Sequence, residues 1–93
     1  LEHFVIQTQL TIINKLGLHA RAAAKFVNCT SSFSSSIEAG KDGQLVDAKS
    51  IMSVMMLAAG KGTILDLKIH GSDEEAALAA LKTLIENRFD ETE

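Results

Sequence analysis

Thr63-Ile64-Leu65-Asp66-Leu67-Lys68-Ile69-His70 runs straight into Gly71-Ser72-Asp73-Glu74-Glu75. Leu65, Leu67 and Ile69 fall on one side of the first stretch, and Asp66, Lys68 and His70 on the other. A period of two reads as a half-buried strand. The second stretch opens a helix. Ser72 with Glu75 three residues on predicts a capping box. Ala77, Leu78, Leu81, Leu84, Ile85 and Phe89 then recur at helical spacing and form its buried stripe. A half-wet strand followed by a one-sided helix asks for a sheet layer against a helix layer. Residues 90–93 are acidic and read as a frayed end.

Working back toward the N-terminus, the same grammar repeats. Phe4, Ile6, Thr8, Leu10 and Ile12 alternate with Val5, Gln7, Gln9 and Thr11, which predicts a strand over 4–13 with one dry face. Residues 1–3 read as a ragged end. The loop Asn14-Lys15-Leu16-Gly17-Leu18 leads into His19-Ala20-Arg21-Ala22-Ala23-Ala24-Lys25-Phe26-Val27, where the alanines are a strong helix signal. Ala20, Ala23, Ala24 and Val27 share one face by spacing. The Ser-rich stretch 31–36 marks the end of that helix. Residues 34–39 and 44–48 read as two strands of a hairpin turning at Gly40-Lys41-Asp42-Gly43. Ser50 before and Gly60 after frame a short helix over 51–59. The order is β-α-β-β-α-β-α. The expected fold is α+β, a four-stranded antiparallel sheet covered on one face by three helices, as a single domain over 1–93.

Composition removes several alternatives. The chain of 93 residues is 46% hydrophobic and 23% charged, which a disordered chain would not be. No apolar run approaches the roughly 20 residues of a membrane helix, and the first residues lack the layout of a signal peptide. One cysteine, Cys29, forms no internal disulfide, which favours a reducing, cytoplasmic setting. A net charge of −3 with four Phe and no Trp or Tyr argues against nucleic-acid binding. His3, His19 and His70 show no metal-ligand spacing, so no metal or cofactor is expected. Gly60-Lys61-Gly62-Thr63 lacks the full phosphate-loop spacing and reads as a helix end with a turn.

His19 is the position that breaks local grammar, because histidine is not a favoured helix cap. The first N–H groups of the helix behind it are unpaired and carry partial positive charge. That setting favours an uncharged ring with a free lone pair. It would also welcome a phosphoryl group captured there, held by the amides of Ala20 and Arg21. The Arg21 guanidinium can fork onto phosphate oxygens, and Gly17 lets the loop turn sharply and another protein approach. The residues alone leave open a surface histidine that merely sits in a loop. In the 51–59 helix, Val54, Leu57 and part of Met56 should face inward, leaving Ile51, Met52 and Met55 outside. That apolar patch suits protein docking, or else a wider core lies beneath it. Cys29 reads as a buried thiol.

Asn14-Lys15-Leu16-Gly17-Leu18-His19-Ala20-Arg21 resembles the active-site loop of the histidine-containing phosphocarrier (HPr) family of the bacterial phosphoenolpyruvate-dependent phosphotransferase system. Lys49-Ser50-Ile51-Met52, with Met55-Met56-Leu57 and Gly60-Lys61-Gly62, resembles the family's second signature. The resemblance implies an open-faced β-sandwich. It implies phosphorylation of His19 at Nδ1, Arg21 as the active-site arginine, and Ser50 as a regulatory phosphorylation site served by a kinase/phosphorylase. It also implies a docking surface of Leu18, Ala20, Ala24, Ile51, Met52 and Met55 for Enzyme I and Enzyme IIA-type proteins. Ala22 stands where most members carry proline. The alanine run and the 50–59 segment look most like the nitrogen-related branch, with sugar uptake the other option. The expected function is a monomeric phosphocarrier, an intermediate in transfer rather than a turnover enzyme. The alternative is a binding module controlled at Ser50, with His19 silent.

Overall fold

The computed structural model describes residues 5–93. Phe4 and residues 1–3, which the sequence assigns to the first strand and a ragged end, lie outside the described residues. Strands β1 (Ile6–Thr11), β2 (Ser36–Lys41), β3 (Gln44–Asp47) and β4 (Ile64–His70) form one sheet, with helices α1 (Ala20–Ser31), α2 (Ile51–Met56) and α3 (Glu74–Glu86) between and after them. Strand order is β1-β4-β2-β3 and every pairing is antiparallel. The expected α+β architecture is therefore the observed one. In β4 the alternation holds residue by residue: Leu65, Leu67 and Ile69 are buried, while Asp66 and Lys68 are half-buried and His70 is exposed. Ile69 pairs with both Ile6 and Ile37, and Leu67 with both Thr8 and Ala39, so β4 carries the dry face across the sheet centre.

The helices close that face. Phe26, Phe89, Leu81, Ile85 and Val54 are fully or almost fully buried with the β4 residues in one core. Burying each such side chain stabilises by about 1.5–3 kcal/mol. No helix among the described residues is long and apolar enough to cross a membrane.

Several boundaries move from their expected places, each for a tertiary reason. Gly40 and Lys41 belong to β2, pairing with Leu45 and Gln44. The hairpin turns on Asp42 and Gly43 alone, whose φ values of 54° and 84° are the two left-handed positions a tight hairpin needs. Helix α1 buries Ala22, Ala23, Phe26 and Thr30, while Ala20 is exposed. The helix is rotated from its expected face because that brings the Phe26 ring into the core. Helix α2 stops at Met56 instead of residue 59. Ala58 takes φ 52°, which frees the Ala59 carbonyl to accept from the Leu18 N–H at 2.9 Å. Met56 is 80% exposed, so no part of its chain packs inward as expected.

The capping box at α3 is not formed. Asp73 is the N-cap and makes no side-chain cap bond. Its carboxylate instead accepts from the backbone N–H groups of Ser34 and Ser35, both at 2.9 Å, and from both serine hydroxyls. The Ser35 hydroxyl is the largest cause that lowers the Asp73 pKa to about 2. The link ties the start of β2 to the start of α3.

Candidate functional site

The loop before α1 is built around Gly17. Its φ is +67°, and a Cβ there would meet the Ala59 carbonyl oxygen at 2.5 Å and the Gly60 Cα at 2.7 Å. Glycine is required because this chain's own backbone approaches, not to admit another protein as the sequence suggests. With Leu18 N–H bonded to Ala59, the Leu18 side chain turns into the core and is buried. This removes Leu18 from the docking surface. Leu16, two residues earlier, is 67% exposed and lies in the same groove as His19.

His19 is the N-cap of α1. Its backbone is extended (φ −71°, ψ 177°), and its carbonyl accepts the first helical bond from Ala23 at 2.7 Å. The ring makes no capping bond, and the side chain is 27% exposed. The Ala20, Arg21 and Ala22 amides begin the helix and have no acceptor within it. Arg21 is exposed one turn-step beyond the ring, and Ala20 is exposed beside it. Ala22 is buried in this first turn. His19 and Arg21 thus line the same groove.

Sequence reasoning missed the other half of the site. After α3 the chain does not trail away. Arg88, Phe89 and Asp90 all adopt left-handed φ (55°, 53° and 64°), each costing about 1–2 kcal/mol for an L-residue. Burial of Phe89 and hydrogen bonds from Lys25 Nζ to the Phe89 carbonyl (2.9 Å) and Asp90 carboxylate (3.4 Å) offset that strain. The turn sends residues 91–93 back over the loop. There Lys15 N–H donates to the Glu93 carbonyl at 2.7 Å.

Glu91 then reaches the site. One of its oxygens is hydrogen-bonded to His19 Nε2, and the other accepts from Asn14 Nδ2 at 3.0 Å. Asn14 is fully buried and its amide also donates to the Gly17 carbonyl at 2.8 Å. A single amide so couples loop and tail, while Asn14 Oδ1 has no partner among the described residues. Asn14's hydrogen bond is the largest cause holding the Glu91 carboxyl below the usual carboxylate range. The His19 hydrogen bond and the Arg21 charge add to it, against partial desolvation. Lys15, Leu16, His19, Arg21, Lys25 and residues 90–93 line one open groove of about 600 Å³.

The second predicted group lies on α2. Ser50 is its N-cap, and the Ser50 hydroxyl accepts from Ser53 N–H at 3.3 Å. Ile51, Met52 and Met55 are exposed as expected, and Met56 joins them. Helix α2 packs against α1, and Gly60 beyond it abuts Gly17, so the patch borders the His19 loop. Ala24 is half-buried on α1. Cys29 is half-buried, with burial pushing its thiol up. Among the described residues no group of three or more His, Cys, Asp or Glu could hold a metal ion.

Known proteins resemble this chain in sequence and fold. Residues 6–87 match the family described as "PTS HPr component phosphorylation site". The chain is 58% identical over 86 residues to the phosphocarrier protein HPr of Pseudomonas aeruginosa, covering 91% of this chain and 96% of that protein. It is 53% identical over 89 residues to HPr of Cupriavidus necator, covering 96% and 100%. Among solved structures, HPr of Thermoanaerobacter tengcongensis superposes with a TM-score of 0.90 at 46% identity, over 95% of this chain and 99% of that one. The chain belongs to the HPr family, the phosphocarriers of the phosphotransferase system.

Proposed function

We propose that this carrier accepts its phosphoryl group on His19 from Enzyme I, charged from phosphoenolpyruvate, and hands it to an Enzyme IIA-type protein. The observation that carries the reading is a partly exposed imidazole at the first turn of α1, unspent on capping and flanked by unpaired amides. A developing phosphoryl anion is stabilised there by N–H donors and the helix dipole. Arg21, exposed beside it, supplies a guanidinium fork for the same oxygens. Little else is needed from this chain, because alignment of donor and acceptor comes from the docked partner.

Leu16, Ile51, Met52, Met55 and Met56 form the surface on which those partners sit, with Ala20 and Ala24 at its margin. Their exposure beside the histidine supports this. Ser50 is both the α2 cap and the place where a kinase would switch docking, since a phosphate there sets negative charge against Ile51 and Met52. The protein works as a cytoplasmic monomer.

Incubation with Enzyme I and labelled phosphoenolpyruvate tests the carrier role. Label stable in alkali, lost in acid and absent from His19→Ala is expected. Unlabelled wild type beside a competent Enzyme I would favour the Ser50-controlled binding module instead.

A further inference from the structure

We propose that the free edge of β1 is a self-recognition surface, where two copies of this chain pair strand against strand, antiparallel, about a two-fold axis at Thr8. The pairing uses no residue of the His19 groove or of the α2 patch, so it stands apart from the carrier reading.

What the sheet leaves unpaired decides the place. β1 and β3 are its two edges. β3 is short, Gln44–Asp47, and its end is used locally. The Asp47 carbonyl accepts from Ser50 N–H at 3.2 Å and its carboxylate from Lys49 N–H at 2.9 Å. β1 runs for six residues, and none of the described residues pairs with its outer side. An open edge is normally blunted by lysine, by proline or by a charge turned inward. From Phe4 to Ile13 the sequence holds no charged residue and no proline.

Which backbone groups face out follows from the ladder. Ile12 N–H donates to the Thr63 carbonyl at 2.9 Å, and bonding alternates along an antiparallel strand. Ile6, Thr8 and Leu10 therefore bond to β4, opposite Ile69, Leu67 and Leu65. Val5, Gln7, Gln9 and Thr11 turn their N–H and carbonyl groups outward. The far side of the sheet agrees: Ala48 N–H donates to the Ile37 carbonyl, which leaves the alternate residues of β2 for β4.

The outward set is self-complementary. Rotation about Thr8 places Gln7 against Gln9 of the second copy, Ile6 against its Leu10 and Val5 against its Thr11. Each outward pair exchanges both N–H···O bonds. The glutamines become neighbours on the exposed face, and the half-buried Ile6 and Leu10 cover each other's open sides on the opposite one. A two-fold contact of this kind closes on itself. One strand per copy falls short of the roughly 1,200 Å² that a stable complex buries. The association is therefore weak and fast, and the dilute protein is a single copy.

The 15N-labelled full chain is followed by sedimentation and amide NMR as it is concentrated from about 10 μM to about 1 mM. Wild type should associate reversibly with a Kd near the top of that range, with shifts confined to residues 5–11 and their β4 neighbours. Gln7→Pro withdraws an outward N–H without touching the β4 ladder and should weaken association about tenfold. Gln7→Glu/Gln9→Lys sets opposite charges across the two-fold axis and should strengthen it about three- to tenfold. Within one copy the new charges fall opposite Lys68 and Asp66, their register partners, so the fold is not opposed. Amide spectra confirm that both variants are folded. A wild type that stays monomeric at the top of the range, shifts that map to another surface, or equal association in all three forms would overturn the proposal. So would a dimer that forms only on refolding and separates over hours, because that is exchange of a whole strand, not pairing of two edges.

Discussion

Asp73, at the head of α3, and Glu91, beyond its tail, are both carboxylates whose two oxygens each find donors far away in sequence. Their partners differ. Asp73 faces two backbone amides and two hydroxyls of Ser34 and Ser35, none of which changes charge in the ordinary pH range. Glu91 faces one amide and an imidazole that lies partly open to solvent. The first arrangement locks β2 to α3. The second leaves an imidazole reachable from solvent. A satisfied carboxylate joins two backbone elements in one place and meets a side chain of the proposed carrier site in the other.

Substitution can pull this contrast apart. Asp73→Asn removes the charge and turns a donor toward donors, so thermal unfolding should occur several degrees lower at neutral pH. Phosphoryl uptake below the unfolding temperature should stay at the wild-type level. The pH dependence has a definite sign. The folded pKa of Asp73, about 2, lies below its ordinary value of 3.8. Its stabilisation is therefore complete above the higher value and fades as pH falls toward the lower one. Melting curves of wild type and Asp73→Asn should converge between pH 4 and 2. Persistent separation at the acid end would assign the stabilisation to packing rather than to the charge.

A smaller effect is expected away from both carboxylates. Ser50→Asp keeps an N-cap acceptor for Ser53 and adds charge beside Ile51 and Met52. The fold should hold while affinity for Enzyme I drops about tenfold. A titration showing unchanged affinity would move the docking surface off α2.

Much of this was legible in the chain. The period-two alternation in 63–70 and the apolar stripe of α3 gave sheet and helix their faces, because each depends on local spacing. His19 and Arg21 were legible because a histidine at a helix start breaks a local rule. What stayed hidden depends on distant partners. Ser72 and Glu75 have capping-box spacing, yet Asp73 is drawn to serines 38 and 39 positions away. Helix α2 ends early because Ala59 is needed by Leu18, and nothing in 51–59 announces that. Residues 90–93 have the composition of a solvated tail, and Glu91 meets His19 across 72 positions. The available clue was Phe89, an aromatic that closes the α3 stripe and has to be brought back to the core.

The account turns on which ring nitrogen receives phosphorus, and that is directly measurable. Nitrogen-15 NMR of the protein after charging by Enzyme I should place the phosphorus coupling on Nδ1 of His19, with Nε2 still protonated against Glu91. Coupling on Nε2 would require Glu91 to be displaced from the ring and would contradict the account.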